Sequence, residues 1–477
     1  MKSTACRNVA EHPDFVLLEN REERPLCCLV MQNLPDTAME ALEPLHAFHI
    51  YHQGEMTALL LDVQEEADFL GRLEEHLAGH GLCAGLSGPF ALAASAHGCM
   101  RKALIALETG LRLAPGRALY PMDEFGEAAL LLAAQDVLAR EGYAAEDFCD
   151  GAIARMRRVD EETGTQYAPS LQAYLSCGLD LRLAAQALGV HRNTLAYRMK
   201  RVQEIFSVDL ENVNTCFELL FSFWLADNLP QAERGAEMEG PFDARTAEAA
   251  LFAHVQRIGE DGCAPASGFA CRMFCAGVAG IMDEDRIKLL RLLRALAPEN
   301  SACAFDDDVI LMVTEPDAFD MFEAAAAPQC RQKGCPVVTT QAFDAPRIGH
   351  RARLCRMALC AADQMCMRAQ DMASTLFFMA LEGSVSLAPY LCEDVIRVMD
   401  EDAQKRSALS RSLYAYLLNF RDMKRAAQQL GLHRNTMEYH MRKIDALIGK
   451  PSGEKRRFLM MCTYKMLALP DMRRYGL

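Results

Sequence analysis

Read as a pattern of apolar and polar positions, the chain lays out one plan and then repeats it. Pro25–Gln32 is a short unbroken apolar run between polar flanks, which predicts a buried strand. Thr37–His46 has apolar residues at helical spacing, and Phe48–Gln53 with Met56–Val63 predicts a hairpin around Gln53-Gly54-Glu55. Ala67–Ala78 predicts an amphipathic helix, Cys83–Ser87 a strand ended by Gly88-Pro89, and Ala91–Leu107 another helix. The order βαββαβα, with short connections, predicts a sheet covered on one face by helices.

The second half follows the same pattern. Phe269–Gly277, Ala302–Phe305, Val309–Thr314 and Pro336–Thr340 predict strands; Asp283–Ala297, Asp317–Gln329 and Ala345–Ala362 predict helices. Phe90 and His97 answer to Phe343 and His350 at a common offset, so the repeat reaches upstream, and both histidines read as structural. Helical stripes follow each sheet segment: Glu124–Arg140 and Phe148–Glu162 in the first half, Met367–Leu381 and Tyr390–Ala403 in the second. The polar stretch from Leu229 to Pro241 carries proline and glycine at both ends and predicts a linker, with the seam near residue 236.

Beyond each pair of stripes the periodicity changes. Arg182–Leu188 predicts a short helix in which Ala184 and Ala185 let another helix cross closely; Gly189 supplies a turn, and His191-Arg192-Asn193-Thr194 opens a longer helix. At about 100° per residue, Leu195, Met199 and Val202 share one stripe. Asn193, Tyr197 and Lys200 then face the other way, flanked by Ala196 and Arg201. This is the grammar of a helix-turn-helix, and it recurs: a gapless alignment of Leu171–Ser207 with Leu413–Gly449 leaves about 16 of 37 positions identical, including Gly431 and His433-Arg434-Asn435-Thr436.

The outer face carries what a DNA major groove requires. Amides and guanidinium groups can meet base edges, while hydroxyls, cations and the positive end of the helix suit phosphates. The candidate DNA-binding residues are His191, Arg192, Asn193, Thr194, Tyr197, Arg198, Lys200 and Arg201 in the first copy. In the second they are Lys424, Arg425, His433, Arg434, Asn435, Thr436, Glu438, Tyr439, Arg442 and Lys443. Between copies Ala196 becomes Glu438, Arg198 becomes His440, and Lys200-Arg201 becomes Arg442-Lys443. An acid on the groove-facing flank either accepts from a cytosine amino group or weakens phosphate binding, so the copies have different base preferences or form one reader and one weaker clamp.

Length and charge refine the picture. A chain of 477 residues is too long for one core, at about 150 residues per domain. A net charge of −15 is the wrong sign for coating nucleic acid indiscriminately, but basic residues concentrate in the two motif regions, and a DNA footprint is local. The 19 cysteines include no Cys-x-x-Cys knuckle; Cys271 with Cys275 and Cys330 with Cys335 are read as reduced core residues over metal ligands or redox sensors. No nucleophile–base pair or metal set stands out, so no enzyme, cofactor or metal is expected. With no secretory signal and no apolar run of 18 residues, a cytoplasmic protein without a membrane partner is expected.

The residues Ser170–Leu175, Ala184–Gly189 and Val190–Arg198 resemble the C-terminal helix-turn-helix of PucR/CdaR-type bacterial transcriptional regulators. The second copy departs from that pattern at Met437 and His440, and the tandem repeat departs from the family's usual single module. The resemblance implies a degenerate GGDEF-like domain upstream of each motif, and Cys83–Leu107 and Val337–Leu359 look like its late strand and helix. No Gly-Gly-Asp-Glu-Phe signature is present; the nearest match, Asp123-Glu124-Phe125, follows Pro121-Met122. The sheet domains are therefore read as sensors or dimerisation platforms.

The expected architecture is α+β, with two tandem units, each a degenerate GGDEF-like α/β sheet domain followed by an all-helical connector and helix-turn-helix. The boundaries fall at 1–120, 121–235, 236–365 and 366–477. The expected function is sequence-specific binding of a bipartite operator in double-stranded DNA by a transcriptional regulator, with room for a small-molecule effector and a homodimer. The rival is a signal-binding or scaffold protein whose motifs make protein contacts.

Overall fold

The computed structural model describes residues 26–34, 45, 49–53, 55–62, 69–89, 96–229, 242–256, 269–361, 364–451 and 453–469. The helix expected at Thr37–His46, apart from Leu45, the hairpin tip at Gly54, Phe90 and the linker from Pro230 to Pro241 lie outside these residues.

Strands β1 (Leu26–Gln32), β2 (His49–Gln53), β3 (Met56–Asp62), β4 (Ala84–Leu86) and β5 (Leu119–Pro121) form the first sheet, with helices α1 (Phe69–Gly79), α2 (Ala96–Leu113) and α3 (Met122–Glu141). The first helix-turn-helix region holds α4 (Gly151–Thr163), α5 (Tyr167–Ser176), α6 (Leu181–Ala187), α7 (Arg192–Phe206) and α8 (Val213–Asn228). The second sheet region runs through α9 (Ala244–Val255), β6 (Ala270–Gly277), α10 (Asp283–Leu296), β7 (Ser301–Asp306), β8 (Val309–Thr314), α11 (Pro316–Gln332), β9 (Val337–Thr339), β10 (Phe343–Asp344), α12 (Ile348–Ala361) and β11 (Cys366–Arg368). The chain ends with α13 (Ala373–Glu382), α14 (Glu393–Lys405), α15 (Leu409–Leu418), α16 (Met423–Gln429), α17 (Arg434–Ile448) and α18 (Glu454–Leu467).

The fold is mixed α+β, and its two sheets share one topology. The first has strand order β2-β3-β1-β4-β5 and the second β7-β8-β6-β9-β11, with β10 added against β6. In both, the last two strands pair in parallel and the other neighbours pair antiparallel.

Helices cover both faces of each sheet, not one. Cys27, Leu29 and Met31 pack with Leu73 and Leu77 of α1, whereas Cys28 and Val30 pack with Met100 and Ala103 of α2. The unbroken apolar run of β1 already carried this: a strand solvated on one side alternates, and this one does not. On the second sheet, Leu289 and Leu293 of α10 and Phe319 and Phe322 of α11 pack under Phe274 and Met312, while α9 and α12 touch the other side. The helix expected at Met367–Leu381 begins instead as β11, because Cys366–Arg368 pair with β9 over a stretch too short to show a period.

The chain resolves into two compact units: Met1–Asp136 with Val385–Ser410 and Ile444–Pro451, and Val137–Ser384 with Arg411–Lys443 and Ser452–Leu477. In the first, Lys102 pairs with Glu393 at 2.6 Å. In the second, the buried carboxylate of Asp147 takes Arg347 and lies 3.6 Å from Arg351, joining the turn before α4 to α12. Burial opposes its ionisation, but the two guanidinium groups outweigh that and hold Asp147 below the usual carboxyl range. His350 stacks edge-on against Tyr143 at 5.6 Å, a packing role.

Most described cysteines are buried, and every described one is a free thiol. Burial pushes the thiols of Cys216 and Cys330 up to about 12, the opposite of a reactive thiolate. No group of three or more metal-binding side chains occurs among the described residues.

Candidate nucleic-acid interface

Local chemistry builds the first motif. The Asp160 carboxylate accepts from the backbone N–H of Tyr167 and Ala168 at 2.7 and 2.8 Å, fixing the start of α5. Asp180 caps α6 by accepting from the N–H of Arg182 and Leu183 at 2.8 and 3.0 Å, and those backbone bonds hold its carboxyl low. Gly189, at φ +64°, ends the helix, and the Val190 N–H returns to the Ala185 carbonyl. His191 then caps α7, its Nδ1 accepting from the Asn193 N–H at 3.2 Å.

Ala184 and Ala185 are buried against Leu195, Met199, Val202 and Phe206 of α7, with Leu171 and Leu175 of α5 and Leu219 and Phe223 of α8 completing the core. Burying that stripe leaves His191, Arg192, Asn193, Thr194, Tyr197 and Lys200 exposed on α7. Tyr197 is 63% exposed, a large ring left mostly in water. Arg201 is held by Glu204 at 2.9 Å, and Lys200 lies 3.8 Å from the same carboxylate. Arg198 is not on that face: it is half-buried and donates to the Ser170 hydroxyl of α5 at 2.9 Å.

The second motif repeats the capping bonds of the first. Asp402 accepts from Leu409 and Ser410, Asp422 from Lys424 and Arg425, and His433 Nδ1 from the Asn435 N–H. Gly431 has φ +65°, and Ala426, Ala427, Met437, Met441 and Ile444 are buried. His440, in the place of Arg198, meets Ser412 at 2.7 Å, the counterpart of Ser170. Arg434, Asn435, Thr436, Tyr439, Arg442 and Lys443 are exposed, with the Lys443 ammonium 4.8 Å from the Tyr439 ring centre. Arg434 is spent differently from Arg192, its Nε donating to Glu438 at 2.8 Å. Lys424 and Arg425 are exposed at the start of α16, and Arg182 occupies the place of Lys424 on α6. Arg182 is exposed but not among the candidates expected from the sequence, and its alignment with Lys424 is the signal that finds it.

Within the second unit the two motifs pack together. The α5–α6 turn has Gly178 at φ +73° and Leu179 at +62°; the α15–α16 turn has Phe420 at +51° and Arg421 at +72°. A left-handed phenylalanine is strained by roughly 1–3 kcal/mol, and its ring packs against the core of the first motif. Matched residues of the two copies, Leu175 with Leu417 and Gly178 with Phe420, line the same small cavity, as in a self-complementary interface. Nearby, Phe221 of α8 meets Phe377 of α13 at 5.4 Å and Phe458 of α18 at 6.2 Å. Beside that cluster Glu218 of α8 accepts from the Ser374 N–H and hydroxyl at 2.7 and 2.8 Å and from Lys465 of α18 at 2.9 Å.

Two short capped helices crossed on a pair of alanines, the second presenting a polar face, define helix-turn-helix modules. Residues 167–225 and 409–460 each match the family described as the PucR C-terminal helix-turn-helix domain, so the chain carries two domains of that type. That is a family of DNA-binding modules, not of enzymes. Among curated proteins, the chain is similar to the proline-responsive transcriptional activator PutR of Bacillus subtilis (strain 168), 34% identical over 73 residues, or 15% of this chain and 18% of that one. It is also similar to the DNA-binding transcriptional activator AdeR of the same organism, 28% identical over 68 residues, or 14% of this chain and 16% of that one. The likeness thus spans less than one fifth of either relative. A solved structure, the regulator of polyketide synthase expression from Bifidobacterium adolescentis, aligns over 50% of this chain and 96% of its own at 14% identity and a TM-score of 0.24. No helix among the described residues is long and apolar enough to cross a membrane.

Proposed function

We propose that this chain is a cytoplasmic transcriptional regulator whose two helix-turn-helix modules bind two half-sites of one operator in double-stranded DNA. The observation that carries this is the matched pair of recognition helices, capped alike, buried on one stripe alike, and exposing His-Arg-Asn-Thr and a tyrosine alike. Both curated relatives are named as transcriptional activators, which supports the reading. We take the four-part division at residues 120, 235 and 365, with the shared sheet topology as support for tandem GGDEF-like sensor or dimerisation domains. An effector acts through these domains, and a homodimer would bring four modules to longer DNA.

The test is a shift assay on the DNA upstream of the gene at two salt concentrations, since a module that neutralises several phosphates loses affinity steeply as salt rises. Footprinting should show two half-sites about 34–36 Å, or a multiple, apart. Asn193→Ala should relax sequence preference by about 1–3 kcal/mol, whereas Lys200→Ala should weaken all sequences alike and lower the salt slope by about one. If neither change moves the isotherm, the assigned face is wrong. The Arg434–Glu438 pair favours a second reading for the second module alone, as a weak clamp or a protein-contact surface; a footprint unchanged by Asn435→Ala would select it.

A further inference from the structure

A cavity of about 730 Å³ opens where the second sheet meets both modules. Thr339 of β9, Arg368 of β11, Asp371 of the turn that follows, Asn212 capping α8, Tyr414 of α15 and Lys465 of α18 all line it. The volume is within the range of small-molecule sites, about 300–1,000 Å³. Among the described residues its charged lining is balanced: Arg368 and Lys465 against Asp371 and Glu323. The Arg368 guanidinium makes no ion pair and the Asp371 carboxylate no hydrogen bond with any described residue. Glu323 is held loosely, 3.7 Å from Arg272, while Lys465 is committed to Glu218. Arg368 and Asp371 are both exposed at the cavity wall; partial desolvation there pushes the Asp371 carboxyl up even with Arg368 near. A simple anion entering this space would meet two carboxylates, and a simple cation two cations.

We propose that this cavity binds a small zwitterion, its carboxylate on Arg368 and its ammonium on Asp371, and so gives the regulator of the preceding section its signal. That regulatory part rests on the reading of the chain as a regulator; the binding part does not. Lys465 lines the same cavity and is also the partner of Glu218 on α8, so a zwitterion held on Arg368 and Asp371 shares this space with the ion pair that ties the last helix of one module to the last helix of the other. Asn212 sets the start of α8 from the same wall.

The test titrates the full chain, without DNA, with each of the standard L-amino acids as probes, and with propionate and propylamine as single-charge controls, reading melting temperature and calorimetric heat. At least one amino acid should bind and neither control should. Arg368→Ala and Asp371→Asn should each weaken that binding tenfold or more while leaving the ligand-free melting temperature in place. Binding of propionate as tight as the best amino acid, indifference to both substitutions, or no binding of any probe overturns the proposal. The shift assay separates the two readings. A chain that binds DNA but no amino acid refutes the cavity alone, and one that binds an amino acid through these residues but no DNA refutes the regulator and leaves the binding site standing.

Discussion

Glu218 is the sharpest place to test how the modules are joined. Its side chain is 2% exposed and makes three contacts, two to Ser374 and one to Lys465, whose side chain is 15% exposed. Burial alone would push the Lys465 ammonium down, yet Glu218 beside it keeps it above the usual lysine value. Glu218→Gln keeps an oxygen for the Ser374 N–H but removes the charge, leaving Lys465 without its counter-ion. Breaking a buried pair from one side costs about 3–5 kcal/mol, and the partial exposure of Lys465 places this one near the lower end. At about 2 °C per kcal/mol for a unit of this size, the melting temperature should fall by roughly 6 °C.

The chain's single tryptophan, Trp224, lies 5.2 Å from Phe458 in the adjoining aromatic cluster, so its fluorescence reports this unit specifically in a urea titration. Adding Lys465→Met should recover most of the loss, because a buried pair replaced by apolar volume is close to neutral. A loss below about 1 kcal/mol for the single change, or a double variant as unstable as the single, would refute the argument that this charge pair holds the joint.

Two further outcomes follow from other sites. Glu438→Ala should release Arg434 and strengthen DNA binding by the second module, with a salt slope steeper by about one phosphate contact; weaker binding in the shift assay would mean that Glu438 reads a base instead. Asp147 has a depressed native pKa, so its contribution is complete above the unfolded value of about 3.9 and is lost as pH falls through the native one. Urea midpoints followed by Trp224 should therefore drop steeply below about pH 4 in the wild type and less steeply in Asp147→Asn, which starts out about 3–5 kcal/mol less stable at neutral pH.

Much of this was legible in the sequence, for reasons that also mark the limit. The α6–α7 unit was readable because its determinants are local: a capping aspartate, two alanines, one glycine with positive φ and a stripe at helical spacing. Most strands of both sheets were readable as short apolar runs. The three-residue strands β5 and β11 were not, since they are defined by parallel pairing with β4 and β9 and have no period of their own. The inward turn of Arg198 was equally hidden. It depends on Ser170, 28 positions away, and only the replacement of Arg198 by another hydrogen-bonding residue, His440, opposite the retained serine, Ser412, hints at it. The charge network of Glu218, Ser374 and Lys465 spans three distant segments, and no local rule brings them together.

The turn at Phe420 carries a last consequence. Where one copy keeps Gly178, the other has accepted a strained aromatic whose ring enters its neighbour's core, so the copies have become a plug and a socket and can no longer be exchanged. Two identical subunits related by a twofold axis read a palindrome and cannot tell left from right along the DNA. A fused pair with a fixed plug side has a polarity, so on the two-site operator proposed above it would bind in one orientation only.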